Sequence, residues 1–255
     1  MTTLRLLLCL PILLVSSRAA LAQAPPVKEP PPLWDVQLGA AFVGTGGNSE
    51  TTTLGADFAT HRRWPLWKIE GTATAVQASD SGTTTAERYL AAFRADRKLT
   101  TRIDLSLGER LERDQFAGID LRSITDGGLK YALVRNPGWT LDGLTSLALN
   151  HESRVTGDDL NHPIAVLQAL SKLIFNASSD STQRFTFLPD FKEADAYRAE
   201  AELTAQAAMN SRLALKVGYL WRYSNVPTFG FEKSDNTATA SIVLRWKAAT
   251  SAPAP

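Results

Sequence analysis

From Trp34 to Trp246 the chain alternates apolar and polar residues with a period of two. In 34–44 the even positions are Trp34, Val36, Leu38, Ala40 and Phe42, against Asp35, Gln37 and Gly39. The same beat returns in Leu54, Ala56 and Phe58, in Trp67, Ile69, Ala73 and Ala75, and in Tyr89, Ala91, Phe93 and Ala95. It continues through Ile103, Leu105, Leu107 and Leu111, then Leu129, Tyr131 and Leu133, then Leu141, Leu147 and Leu149. Later come Tyr197, Ala199, Ala201 and Leu203, the run from Leu213 to Tyr223, and Ala238 to Trp246. Successive strand side chains point to opposite faces, so this period predicts strands. Two segments are weaker: Pro163 to Phe175 is apolar without clean alternation and alone passes for a helix, and Thr182 to Leu188 offers only Phe185 and Phe187. The pattern predicts twelve strands of about ten residues each, an even number of the length that crosses a membrane.

The opposite face decides which kind of barrel this is. It carries full charges in nearly every strand. The expected inward ladder is Lys68, Glu70, Arg88, Arg94, Asp96, Asp104, Arg110, Glu112, Arg122, Asp126, Lys130, Arg198, Glu200, Glu202, Lys216, Arg222, Asp235 and Arg245. A soluble barrel turns its apolar face inward, and these many alanines and glycines would not fill twelve strands' worth of core. A membrane barrel turns the apolar face to lipid and the charges to a wet lumen. Trp34, Trp64, Trp67, Trp139 and Trp246 fall at one set of strand ends, with Trp221 and Tyr223 near the opposite rim, as interface aromatics do.

Connection lengths sharpen the orientation. TGGNSE, SDSGTTT, DQFAGID, ESRVTGDDLNHP, LPDFKEADA and SNVPTFGFEKSD alternate with HRRWPLW, KLTTR, VRNPGWT, NASSDS and AMNSR. The first set is longer on average, though TGGNSE is short, and is assigned to the outside with both termini periplasmic. Ahead of the barrel, Arg5, an apolar run from Leu6 to Val15 and the small-residue site Ala20-Leu21-Ala22 read as a signal peptide over 1–22. A proline-rich spacer covers 23–33, the barrel 34–246 and a disordered tail 247–255.

Composition then excludes rather than selects. With 27 basic and 26 acidic residues the formal charge is +1, which leaves no footprint for nucleic acid. Removing Arg5 and Arg18 with the signal leaves 25 basic against 26 acidic residues, and the single Cys9 leaves too. The mature chain therefore has no disulfide framework, and one cysteine with three histidines makes no zinc knuckle. No cofactor is expected. The near-neutral mean hydropathy of −0.12 averages two opposite faces.

Several pieces resemble a known family. They are Trp34 and Gly39 leading to Gly47-Asn48-Ser49, His61-Arg62-Arg63-Trp64, and Ala86-Glu87-Arg88-Tyr89. Asp114, Phe116, Gly118, Asp120 and Arg122 follow at alternate positions. Gly128-Leu129-Lys130-Tyr131 comes next, then Arg222-Tyr223, Pro227 and Glu232-Lys233-Ser234-Asp235. In this order the chain resembles the salt-induced outer-membrane proteins of Gram-negative bacteria, whose function is uncharacterised. The resemblance covers about 34–246, is poorest over 155–190, and differs in that nine residues follow Trp246. It implies an outer-membrane barrel, export, assembly by the barrel-assembly machinery and a link to salt. It implies no reaction.

The chain contains no G-x-S-x-G, P-loop, H-E-x-x-H or paired Cys/His set. Asp158, Asp159 and His162, with His151 nearby, are the one rim constellation that resembles a water-activating group, and a solvated polar loop is the plainer reading. The charged lumen supports two roles. Cross-strand ion pairs knit and fill it, or the ladder passes small polar solutes. The expectation is a non-enzymatic twelve-stranded antiparallel barrel in outer-membrane lipid. Its role is a narrow channel for small polar solutes. The alternative is a structural or surface-recognition barrel, and a rim hydrolase is a minor third.

Overall fold

The computed structural model describes residues 34–45 and 51–247. The expected signal peptide and spacer lie outside them, as do residues 46–50 of the first connection and 248–255 of the expected tail, whose first residue, Lys247, instead ends the last strand. The chain forms twelve strands of ten to eighteen residues: β1 Trp34–Thr45, β2 Thr51–Arg63, β3 Trp67–Asp80, β4 Thr83–Lys98, β5 Ile103–Asp114, β6 Ile119–Asn136, β7 Trp139–Arg154, β8 Leu160–Ile174, β9 Ser179–Leu188, β10 Arg198–Ala208, β11 Leu213–Ser224 and β12 Ser234–Lys247. Each pairs antiparallel with its sequence neighbours, and β1 closes on β12 with Val36 opposite Trp246 and Ala40 opposite Ile242. The closing seam pairs residues 35–40 with 242–247, which removes the free edges of an open sheet where no water is available to supply partners.

Alternation sets the two faces as the sequence pattern requires. Phe42, Leu147, Leu149 and Leu203 stand exposed on the outer wall, Phe42 at 71% and Leu147 at 69%. On the opposite parity Asp35, Ser146 and Asn150 are buried inside. A barrel in water does not leave a wall of leucine and phenylalanine this open, whereas lipid accepts it.

Two expectations change. The connections do not alternate in length throughout. At the end that carries the termini they run to four residues at most, over 64–66, 99–102, 137–138, 175–178 and 209–212. At the opposite end the two longest, 189–197 and 225–233, reach nine residues, but SDSGTTT shrinks to the turn Ser81-Gly82. Both turn residues have positive φ, the backbone that matches the twist of a two-residue hairpin and lets β3 and β4 pair out to Asp80 and Thr83.

The second change concerns the interior. It is not wholly polar: Ile124, Leu144, Ala148, Ile164, Val166 and Leu188 pack inside the wall of β6 to β9. This is why 163–175 loses its period. β8 puts Ile164 and Val166 inward while Leu167 faces outward, so both faces are apolar and a strand reads like a buried helix.

Candidate functional site

The inward charges form layers whose chemistry changes along the barrel. Nearest the long-loop end is a buried network centred on Glu112, 1% exposed. Its carboxylate accepts from Arg88 at 2.8 Å, Arg222 at 3.1 Å, Arg110 at 3.3 Å and Arg122 at 3.4 Å. Glu152 accepts from Arg122 Nε at 2.7 Å and from Arg154 and Arg198 at 2.8 Å. Arg110 makes a two-pronged pair with Glu200, both contacts 2.8 Å, and Arg222 reaches Asp114 at 2.7 Å. Bidentate guanidinium–carboxylate geometry fixes these groups more tightly than a point charge would.

Topology makes this network a partition. β5 and β11 stand six places apart in the ring of twelve, on opposite walls, and β5 and β10 stand five apart. The Arg222–Glu112, Arg222–Asp114 and Arg110–Glu200 pairs therefore cross the lumen rather than run along its wall. Tyr223, Ser224 and Thr228 border the same mouth.

Below it lies a second group. Arg94 on β4 binds Asp126 on β6 at 2.7 and 3.1 Å, passing over β5. Gly108 lies under that bridge, where a Cβ would fall 2.4 Å from Asp126 Oδ1 and 2.5 Å from Arg94 Nη2. Arg94 also donates to Ser106 Oγ at 2.9 Å, Ser106 donates to Asp96 at 2.6 Å, and Lys130 donates to Asp96 at 2.9 Å.

Toward the terminal end the pairs loosen. Lys216 meets Asp57 at 3.3 Å, Arg184 meets Glu202 at 2.9 Å, Lys172 meets Asp180 at 3.5 Å, and Lys68 pairs with Glu70. The Arg184 and Glu202 side chains are 43% and 37% exposed although both point inward. Thr72 is also exposed inside the wall. All of these groups but Lys68 line a cavity of about 460 Å³ with Thr74, Gln168 and Gln206. The lumen thus has a solvated chamber on one side of a dry ionic partition.

All eighteen residues of the expected ladder lie on the inward parity of their strands, and most join the layers above. Asp235 reaches Arg222 at 3.6 Å at the mouth. Asp104 and Arg245 have no ion partner among the described residues. Trp34, Trp64, Trp67, Trp139 and Trp246 are exposed at the terminal end. Arg62 stacks on Trp34 and Trp64. Trp221 donates to Ser234 at 2.9 Å, and Tyr223 packs on its ring near the opposite rim.

The rim constellation is not assembled. Asp159 accepts from Ser153 Oγ and Arg154 N, Asp158 is exposed, and His162 Nδ1 pairs with Asp190 Oδ2 at 2.8 Å. Asp190 comes from the β9–β10 connection, a partner that sequence spacing does not suggest. Burial raises the Asp190 carboxyl, but the His162 hydrogen bond and the backbone N–H groups of Glu193 and Lys192 outweigh it and hold the group below its ordinary 3.8. Among the described residues no three acids, histidines or cysteines gather as a metal site.

One charged residue breaks the pattern. Glu109 lies midway along β5 on the outer face, between exposed Leu107 and Leu111, and accepts from Ser123 Oγ at 2.7 Å and from Thr125. The alternation rule has no place for it.

No curated protein matches the sequence. Among solved structures the chain is similar to the NanC porin, with 12% identity, 83% of this chain and 97% of that one covered, and a TM-score of 0.45. It is also similar to the KdgM porin at 7%, 84%, 98% and 0.42. For the COG4313 outer membrane channel from Pseudomonas putida F1 the values are 11%, 88%, 100% and 0.49. These are likenesses of architecture. The sequence itself matches the family model described as protein of unknown function, DUF481, over residues 36–246, and the chain belongs to that family.

Proposed function

We propose that the protein is an outer-membrane channel for small polar solutes, narrow by construction and constricted by the Glu112 network. The observation that carries this reading is the pairing of opposite walls by Arg222–Glu112 and Arg110–Glu200 beside a solvated chamber. The short-turn end with its tryptophan belt faces the periplasm, and the nine-residue connections face outward. A filled structural wall has no need of a chamber lined by exposed threonine and half-solvated charges. A porin has no need of buried arginine–carboxylate bridges across its bore.

The salt link implied by the family resemblance has a physical counterpart here. Ionic strength weakens solvated pairs such as Arg184–Glu202 and leaves buried ones largely intact. Salt therefore loosens the chamber before it loosens the partition. The experiment is conductance of the purified barrel in planar bilayers. Small, steady single-channel steps are expected, with larger steps in Glu112→Gln. Silence in both proteins overturns the channel and leaves the structural barrel.

A further inference from the structure

Within the chamber one corner is built differently from the rest. Asp57 on β2 reaches past β1 and β12 to Lys216 on β11 at 3.3 Å. It does so across Gly39, where a Cβ would lie 2.3 Å from Asp57 Oδ1 and 2.7 Å from Oδ2. Any other residue at 39 would push the carboxylate off this path. Directly opposite Lys216 in the β10–β11 ladder is Gln206. Its Nε2 is buried and has no hydrogen-bond partner. An unpaired buried donor costs about 1–3 kcal/mol, so a structure that keeps one beside an open cavity is short of an acceptor there.

We infer that this corner is a binding site for a small zwitterion, an α-amino acid being the simplest, with its carboxylate on Lys216 Nζ and Gln206 Nε2 and its ammonium on Asp57. The inference rests on the chamber described above and needs the channel reading only for how the ligand arrives. The ligand class follows from charge. Lys216 and Asp57 are about a quarter and a fifth exposed, a pair held loosely enough to part. A ligand carrying both signs inserts between them and leaves each charge with a counter-charge. A simple anion or cation satisfies one charge and leaves the other without its partner, so it gains less than a ligand that answers both. An anion or a zwitterion brings a carboxylate oxygen to Gln206 Nε2, but only a zwitterion does so while keeping Asp57 paired.

The test uses the full-length mature barrel, folded in detergent, with binding followed by isothermal titration calorimetry. The probes are glycine, acetate, methylammonium and glycerol. Glycine is expected to bind saturably, and at least ten-fold more tightly than each of the other three. Lys216→Gln and Asp57→Asn each weaken glycine at least ten-fold, and Gln206→Leu weakens it several-fold. Heat-modifiable gel mobility reports that each variant is folded. Glycine binding no tighter than acetate overturns the site, as does unchanged glycine affinity in folded Lys216→Gln. The probe comparison on the wild type decides the matter if a variant fails to fold. The measurement needs no bilayer, so a non-conducting barrel that binds glycine removes the channel and keeps the site. A conducting barrel indifferent to glycine does the reverse.

Discussion

Replacing Glu112 with glutamine is the sharpest probe of the partition. The side chain keeps its shape and loses its charge. Four guanidinium groups, from Arg88, Arg110, Arg122 and Arg222, then face a neutral amide at contacts that are now 2.8 to 3.4 Å. Asp114 and Glu200 still answer Arg222 and Arg110, and Glu152 answers Arg122. Arg88 keeps only Asp114, at 3.9 Å. Removing one partner from a buried pair costs about 3–5 kcal/mol, because the other charge stays desolvated. Here several pairs share one carboxylate, so the cost falls at the upper end of that range unless the arginines swing into the chamber and rehydrate. The two outcomes are measurable separately. Urea unfolding of the lipid-embedded barrel, followed by tryptophan fluorescence, reads the lost stability. Planar-bilayer recording reads rehydration as larger steps, with a shift toward anion preference because the layer loses one carboxylate and keeps all its guanidinium groups. A control, Arg184→Gln in the half-exposed pair, loses no more than about 1 kcal/mol. If Glu112→Gln unfolds within about 1 kcal/mol of wild type and conducts no differently, the network is not what closes the lumen.

Gly108→Ala inserts a Cβ into the Arg94–Asp126 bridge. Both obstructing atoms belong to side chains that can yield, so a loss of about 1–2 kcal/mol in the same urea assay is expected, and none at all would mean the bridge is dispensable. Glu109→Leu removes the one carboxylate found mid-strand on the lipid face among the described residues. Acidic residues cost less than Arg or Lys there, so a gain of about 1 kcal/mol is expected. A loss instead identifies a partner for Glu109 on that face. Acid acts on the Asp190–His162 contact. The Asp190 carboxyl is depressed by its hydrogen bonds, so its stabilisation is full above the ordinary 3.8 and is lost as pH falls through the lower folded value. Amide exchange in 189–197, corrected for its intrinsic pH dependence, should quicken below that point in wild type and be fast at neutral pH already in Asp190→Asn.

The fold was legible because a membrane barrel writes it in single residues. Each strand must keep its apolar side chains on one parity, and Leu38, Phe58, Phe93, Leu107 and Leu147 all obey. The ladder of charges was legible for the same reason, from the other parity. What period two does not encode is height and azimuth in the closed barrel. Arg222 and Glu112 are 110 residues apart, and they meet only because β5 and β11 face each other across the bore. Proximity in sequence groups His162 with Asp158 and Asp159, but the inward parity of β8 turns it to Asp190 instead. β8 was ambiguous because its inner face serves an apolar cluster, and Glu109 was invisible because one acid inside an apolar parity looks like noise.

Near-equal charge counts do not by themselves separate a plug from a pore, since both need neutral lumens. Burial does. In the upper layer the carboxylates Glu112, Glu152 and Asp114 are 5% exposed or less, and their arginines 11–21%. In the chamber the partners of Arg184 and Lys172 lie in water that already screens them. One set costs several kcal/mol to open and the other almost nothing. A wall that needed only stiffness would be served as well by pairs of either kind, spread evenly. Segregating them along the axis puts nearly all of the barrier to passage in one layer, near one mouth. On the channel reading proposed above, a single carboxylate, Glu112, then sets whether the bore is continuous.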